Sequence, residues 1–265
     1  MILLKTEKML AHKDQHVGRI VFNNPARHNA VSLEMWQGLA DAAQAFTADP
    51  DIRVVIVQGA GDKAFVSGAD ISEFEGQRDS AAATQNYDAI AAKGMQALKG
   101  LNKPTIAMVQ GYCIGGGLAV ALNCDIRIAT DQAKFAVPAA KLGLGYEYEG
   151  VRKLVDVVGP AFAQEIFFTA RQFTAPEALA MGLINRMVPV AELQAFVQNY
   201  ADMIAANAPL TVASIKTIVG EIVKDESVRD VDLCDRLVAA CFNSEDFREG
   251  RTAFMAKRKP QFKGR

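Results

Sequence analysis

The sequence predicts an α/β protein: a core of parallel strands joined by helices over residues 1–190, then a helical region over residues 191–265. Three observations carry that expectation. The apolar, partly β-branched runs at 54–57 and 105–109 read as strands buried on both faces, as the strands of parallel sheets are. Periodic helical segments stand between such runs, and that alternation calls for crossover connections. Strand-like runs cease near residue 190, and the remainder of the chain is rich in Val, Ile, Leu and Met at helical spacing.

Taken in order, residues 2–9 and 17–22 read as two strands joined by the polar turn at Lys13, Asp14 and Gln15, and residues 23–30 as a loop. Ser32 opens a helix to about Thr47, with Leu33, Trp36, Leu39, Ala43 and Phe46 on one face. The strand at 54–57 leads into a loop over 59–69, helical material from Asp70 and a helix over 82–101. Beyond the central stretch come strands at 126–129 and 134–137, a loop over 138–150, a helix from Gly150 to Val158 and a strand-like run at 184–188. Four helices are expected near 190–207, 209–223, 228–242 and 245–257.

The central stretch, residues 106–125, organises the rest. A strand at 105–109 stops at Gln110 and Gly111, a second break comes at Gly115, Gly116 and Gly117, and Leu118 to Asn123 forms a short apolar helix. The first N–H groups of such a helix have no partners within it and point into the turn, where an anion or a reacting oxygen can accept from them. Consecutive glycines serve either a close helix-to-sheet contact or a ligand approaching the main chain.

Composition narrows the class. Of 265 residues, 29 are Lys or Arg and 30 Asp or Glu, a net charge of −1 that argues against a nucleic-acid-binding surface. The absence of an apolar run near ~18 residues and of a leader-like N-terminus predicts a soluble, cytoplasmic protein with no membrane partner. The four cysteines, Cys113, Cys124, Cys234 and Cys241, lack the paired spacing of a zinc site and read as reduced core thiols. All three histidines precede residue 30, which leaves little material for a histidine-based triad or metal centre.

The segments NNPARHNAVS (23–32), DKAFVSGADISEF (62–74), KPTIAMVQGYCIGGGLAVALNCDIRIA (103–129), TAPEALAMGLINRMVP (174–189) and FREGRTAFMAKRKPQF (247–262) together resemble the enoyl-CoA hydratase/isomerase, or crotonase, family. The resemblance spans essentially the whole chain. It implies a crotonase-like spiral of ββα turns with a helical C-terminal oligomerisation region, a homotrimer or dimer of trimers, and acyl-CoA thioesters as substrates. It also implies no tightly bound cofactor, coenzyme A entering as part of the thioester. Carried over by motif, the backbone N–H groups of Ala69 and Gly116 hold the thioester oxygen as it becomes an enolate, and preorganised donors of this kind are worth about 10²- to 10³-fold each. Asp70 reads as a helix cap and Asp125 as a structural partner.

The chain also departs from the family. Where hydratases carry two glutamates, this sequence has Ala119 and Ala139. Family members that shift double bonds resemble it instead in the loop 142–150, where the acid/base carboxylate corresponds to Glu147, with Glu149 two residues on. Tyr146 aligns with a tyrosine of a decarboxylase branch that lacks both glutamates. The resemblance further places Arg27 and His28 near pantetheine and phosphates, Ser67, Gly68, Ala69, Asp70 and Ile71 beside the adenine, and Lys257 on the CoA phosphates.

Four readings compete. Double-bond isomerisation with Glu147 as acid/base leads; the others are a hydratase or lyase with Glu147 as sole carboxylate, a decarboxylase using Tyr146, and a non-catalytic acyl-CoA-binding protein.

Overall fold

From the third strand to the eighth, consecutive strands enter different sheets, and that alternation sets the architecture. The computed structural model describes residues 2–70 and 81–265. One sheet has six strands: β1 (Met9–Asp14), β2 (Val17–Phe22), β3 (Val54–Gly59), β5 (Thr105–Val109), β7 (Ile126–Thr130) and β10 (Arg186–Val188), in the order β1-β2-β3-β5-β7-β10. The second holds β4 (Ala64–Val66), β6 (Tyr112–Ile114), β8 (Lys134–Ala136) and β9 (Phe173–Thr174), in that order. The hairpin β1–β2 and the pair β8–β9 are antiparallel, and the remaining neighbours are parallel.

Helices close the turns: α1 (Leu33–Ala48), α2 (Ala81–Lys99), α3 (Gly116–Leu122), α4 (Tyr148–Thr169) and α5 (Ala175–Ala180), then α6 (Leu193–Ala205), α7 (Pro209–Ile222), α8 (Val231–Asn243) and α9 (Glu245–Met255). The path β3-β4-α2, β5-β6-α3, β7-β8-α4 is the spiral of ββα turns that the resemblance implied.

Several boundaries differ from those expected of the sequence. The first strand is Met9–Asp14, not 2–9, because pairing counts back from the turn at Gln15 (φ 50°) and aligns Asp14 with Val17 and Met9 with Phe22. Ile2 makes only an isolated bridge to Ala11. The segment read as a loop over 59–69 contains β4, too short at three residues to show a period. Helix α4 runs well past Val158, with a break at Gly159 (φ 75°, ψ 167°) before Pro160.

Two apolar clusters fill the fold. The larger joins both sheets to α1 and α2 through Phe22, Trp36, Leu39, Phe46, Phe65 and Phe135, each almost wholly buried. Such a side chain contributes about 1.5–3 kcal/mol of transfer free energy. The second forms where Leu193, Val197, Ala201 and Ala205 of α6 cover Val54, Ile56, Ile106 and Ile128. Thus α6, the first helix after residue 190, is a layer of the core rather than an appendage to it.

Polar fasteners hold α7 to that core. One carboxylate oxygen of Asp125 accepts from Thr105 N (2.7 Å), Thr105 Oγ1 (2.9 Å) and Lys216 Nζ (2.8 Å), the last on α7. This arrangement gives Asp125 its structural role. Farther out, Ile215, Val219 and Ile222 of α7, Phe242 of α8 and Phe254 of α9 lie exposed. No single described helix is long and apolar enough to cross a membrane.

Candidate active site

Two glycines with positive φ aim the main chain at one point. Gly68 (φ 118°) precedes Ala69 at the end of the β4 segment, and Gly115 (φ 53°) precedes Gly116 at the start of α3. L-residues with a Cβ rarely adopt such dihedrals. The bridge between Val31 and Ala69 uses Val31 N to Gly68 O (2.8 Å) and Asp70 N to Val31 O (2.9 Å), and so leaves the Ala69 N–H out. Gly116 is the first residue of α3, where an N–H has no acceptor within the helix. Neither N–H donates to an acceptor among the described residues. A Cβ built on Gly116 would sit 3.7 Å from Ala69 N, so the two residues are close neighbours in space.

Close packing fixes this geometry. A Cβ on Gly117 would lie 2.0 Å from Val66 O, so α3 rests directly on β4 only because that residue has no side chain. Trp36 of α1 approaches from the same side, its Cζ2 3.7 Å from the Cβ position of Gly116, while its Nε1 donates to Tyr87 Oη on α2 (3.1 Å). At the far end of α3, Lys153 of α4 donates to Asn123 Oδ1, and burial lowers the pKa of that amine to about 8.

The donors open into a cavity of about 380 Å³, lined by Ser67, Gly68, Ala69 and Gly116 on one side of the sequence and Ala139, Tyr146 and Glu147 on the other. Glu147 is the N-cap residue of α4, with extended backbone (φ −69°, ψ 150°) and no capping bond from its side chain. Its carboxylate has no hydrogen bond or ion pair among the described residues. It is solvent-exposed, at the rim rather than in a buried pocket, because the loop before α4 is exposed along its length. Tyr146 packs edge-on against Phe167 (4.9 Å between centroids), and burial of its hydroxyl raises the phenol pKa, so it remains a neutral O–H. Glu149 is absent from the lining: in the first turn of α4 it points to Arg152 at 4.0 Å, since the helix has already begun and separates it from Glu147.

The residues expected near coenzyme A lie in several places. Arg27 Nη1 reaches Asp70 Oδ1 (3.3 Å), with Arg27 largely exposed and Asp70 8% exposed, and Ser67 Oγ donates to Arg27 O (3.5 Å). Asp70 thus ties the loop after β2 to the loop after β4. His28 lines an adjoining polar cavity with Lys63, Tyr112 and Lys134. Lys257 is exposed beyond α9, in left-handed backbone (φ 52°), and is not part of the Glu147 cavity. Ile71 falls outside the described residues. Cys113 and Cys124 are buried free thiols, that of Cys124 pushed up to about 12 by burial. No cluster of three potential metal ligands occurs among the described residues.

One lining residue escaped the sequence reading. Asp88 of α2 is part of the same cavity, and nothing in its local sequence marks it apart from other polar positions of that helix. The two positions where the resemblance implies glutamate in hydratases differ from each other: Ala139 lines the cavity, whereas Ala119 does not.

Comparison with known proteins agrees with the geometry. The family model described as enoyl-CoA hydratase/isomerase matches residues 12–265. A crotonyl-CoA hydratase of Syntrophomonas wolfei is 33% identical over 256 residues, 97% of this chain and 98% of that protein. A carnitinyl-CoA dehydratase of Proteus mirabilis is 35% identical over 255 residues, 93% and 94% of the two chains. The crystal structure of an enoyl-CoA hydratase/carnithine racemase from Magnetospirillum magneticum superposes with a TM-score of 0.92 at 36% identity, covering 98% of this chain and 97% of that one. An enoyl-CoA hydratase from Bacillus anthracis gives 0.92 at 29% identity, covering 98% and 100%. The names among these relatives are hydratase, dehydratase and racemase, and they lend no support to the isomerase preference drawn from the sequence.

Proposed function

Since the chain belongs to the enoyl-CoA hydratase/isomerase family, whose members act on acyl-CoA thioesters, we propose that it is a hydratase-type lyase. It adds water to, or removes it from, the Cα=Cβ bond of an enoyl-CoA, with Glu147 as the acid/base. One observation carries this reading: a single cavity is lined by the Ala69 and Gly116 backbone and by a carboxylate, Glu147, that no other described residue holds.

In the proposed reaction the thioester oxygen accepts from the Ala69 and Gly116 N–H groups. Water gives a proton to Glu147 as its oxygen bonds to Cβ, the π electrons move onto the thioester oxygen, and Glu147 then hands that proton to Cα as the enolate collapses. The two donors are strongest where the charge is greatest, in the enolate-like transition state, which is the condition for accelerating the chemical step. Coenzyme A arrives as part of the substrate, and these steps draw on no other cofactor. The relatives named as hydratase and dehydratase support water addition and removal as the direction of chemistry.

The alanines at 119 and 139 favour a second reading, isomerisation, because moving a proton from Cγ to Cα needs one carboxylate and no water. A panel of four-carbon 2-enoyl-, 3-enoyl- and malonyl-type CoA thioesters separates the readings by absorbance and mass. The expected result is a mass gain of one water on the 2-enoyl thioester. Conversion of the 3-enoyl thioester at unchanged mass, with no water addition, supports isomerisation instead; loss of carbon dioxide supports a decarboxylase using Tyr146. Binding without turnover leaves the acyl-CoA-binding reading.

We also propose that the exposed apolar faces of α7, α8 and α9 join copies into a trimer or a pair of trimers. Light scattering at micromolar concentration is expected to give the mass of three or six chains. A monomeric mass counts against this assembly.

A further inference from the structure

A water-adding site needs a group to take the proton and a group to hold the water while its lone pair is aimed at Cβ. One carboxylate does both poorly, because an oxygen that is accepting the transferred proton cannot also fix the rest of the water molecule. At the two positions where the family resemblance implies glutamate in a hydratase this chain has Ala119 and Ala139, which have no polar side chain, so the second group must come from elsewhere in the fold if water is added at all. Among the described residues lining the cavity there are two carboxylates, Glu147 and Asp88, and they come from different elements, the N-cap of α4 and the second turn of α2.

Asp88 stands on a well-fixed part of α2. Its neighbour Tyr87 is 3% exposed and accepts from Trp36 Nε1 at 3.1 Å. Farther along α2, a Cβ on Gly94 would lie 2.7 Å from Trp36 O, so the helix runs against α1 at backbone contact. The same tryptophan stands 3.7 Å from the Cβ position of Gly116, one of the two oxyanion donors. The position of Asp88 is therefore referenced through Trp36 to the point where the thioester oxygen would sit. Asp88 itself is half-buried and lines the cavity.

We propose that Asp88 is the water-positioning residue of this site, accepting a hydrogen bond from the water whose other proton goes to Glu147. The role rests on the hydratase-type reading and extends it to a pair of carboxylates at positions of this chain's own. In the addition step the water's oxygen pair forms the C–O bond to Cβ, its transferred proton goes to Glu147, and its second hydrogen stays on the new hydroxyl, bonded to Asp88. The π electrons move to the thioester oxygen and return to Cα with the proton that Glu147 took from the water. Exchange of Cα protons on a saturated acyl-CoA uses Glu147 and the two N–H donors but no bound nucleophile, so the two activities depend differently on Asp88.

The test uses the full chain and two probes: hydration of a four-carbon 2-enoyl-CoA in ¹⁸O-labelled water, and deuterium exchange at Cα of a saturated four-carbon acyl-CoA. Asp88→Asn and Asp88→Ala are expected to lower the kcat of hydration by about 10²-fold, with a much smaller effect on KM and on Cα exchange. Asp88→Glu, which keeps a carboxylate, is expected to recover a substantial part of the hydration rate, and thermal melting checks that each variant folds. Hydration at the wild-type rate in the Asn and Ala variants, or an equal fall of hydration and exchange in folded variants, overturns the role of Asp88 while leaving Glu147 in place. A wild-type chain that exchanges Cα protons yet adds no water overturns the hydratase-type reading and this role with it.

Discussion

Replacing Glu147 by glutamine is expected to lower the turnover of an enoyl-CoA by roughly 10²- to 10⁴-fold, the usual contribution of a positioned acid/base. The substitution keeps the shape of the side chain and its ability to accept a hydrogen bond, but an amide cannot take up the proton. Because the carboxylate caps no helix and holds no described partner, its removal should leave melting temperature nearly unchanged. Affinity for the CoA ester should also be retained, so the loss should sit in kcat. Deuterium exchange at Cα should disappear together with turnover. Glu149 provides the internal control: it pairs with Arg152 and stands outside the cavity lining, so Glu149→Gln should leave both activities within a few-fold of wild type. Full exchange in Glu147→Gln, with loss in Glu149→Gln, would transfer the base to the latter. If neither change matters, a carboxylate mechanism from this loop is ruled out.

Gly116→Pro is expected to cost about 10²- to 10³-fold in turnover, the effect of one lost oxyanion donor. Proline has no N–H, and its ring adds bulk at the thioester position, so the loss can exceed that range. Residue 116 is the first of α3, the helix position that best accepts proline, which makes the change a test of the donor more than of the helix. Gly116→Ala is the partner experiment. It keeps the N–H, and its methyl would meet Ala69 N and Trp36 Cζ2 at 3.7 Å, ordinary contact distance. A large loss for proline with a smaller one for alanine, both variants folded by circular dichroism, identifies the N–H as the active feature. Equal turnover in the proline variant and wild type would mean that the reacting carbonyl binds elsewhere.

Much of this architecture was legible in the chain because long, periodic elements declare themselves. Helix α1 and strand β5 lie within a residue or two of their expected limits, as do α7 and α9, while α8 begins three residues later than expected. Burial on both faces made the cores of β3 and β5 apolar runs, and Pro104 and Gly111 marked the limits of β5. Among the short elements β8 and β10 were legible but three others were not: β4 and β6 have three residues each, and two-residue β9 is defined only by its partners Phe135 and Lys134. The site divides along the same line. Ala69, Gly116 and Glu147 belong to motifs with fixed spacing, so their residues could be named in advance. Asp88 enters the cavity only through the packing of α2 on α1, by way of Trp36 and Tyr87, and that is a tertiary fact with no local signature. Glu149 shows the converse: two residues' distance from Glu147 left its direction open until the start of α4 at Tyr148 fixed it.

The Ala69 and Gly116 N–H groups occupy equivalent places in successive turns of the spiral, each just past the second strand of its turn, and those strands, β4 and β6, are parallel neighbours in the four-stranded sheet. What matters to a bound oxygen is the separation of the two N–H groups, a difference between two like positions. Any rigid displacement that both turns share, such as a rocking of the whole spiral, leaves that separation unchanged. Only motion of one turn against the next changes it, and the seat of α3 on β4 at Gly117, where helix and strand backbones touch, resists that motion. The site can therefore stay in register inside a fold that breathes, and it loses its geometry when neighbouring turns part, a local opening that can precede global unfolding.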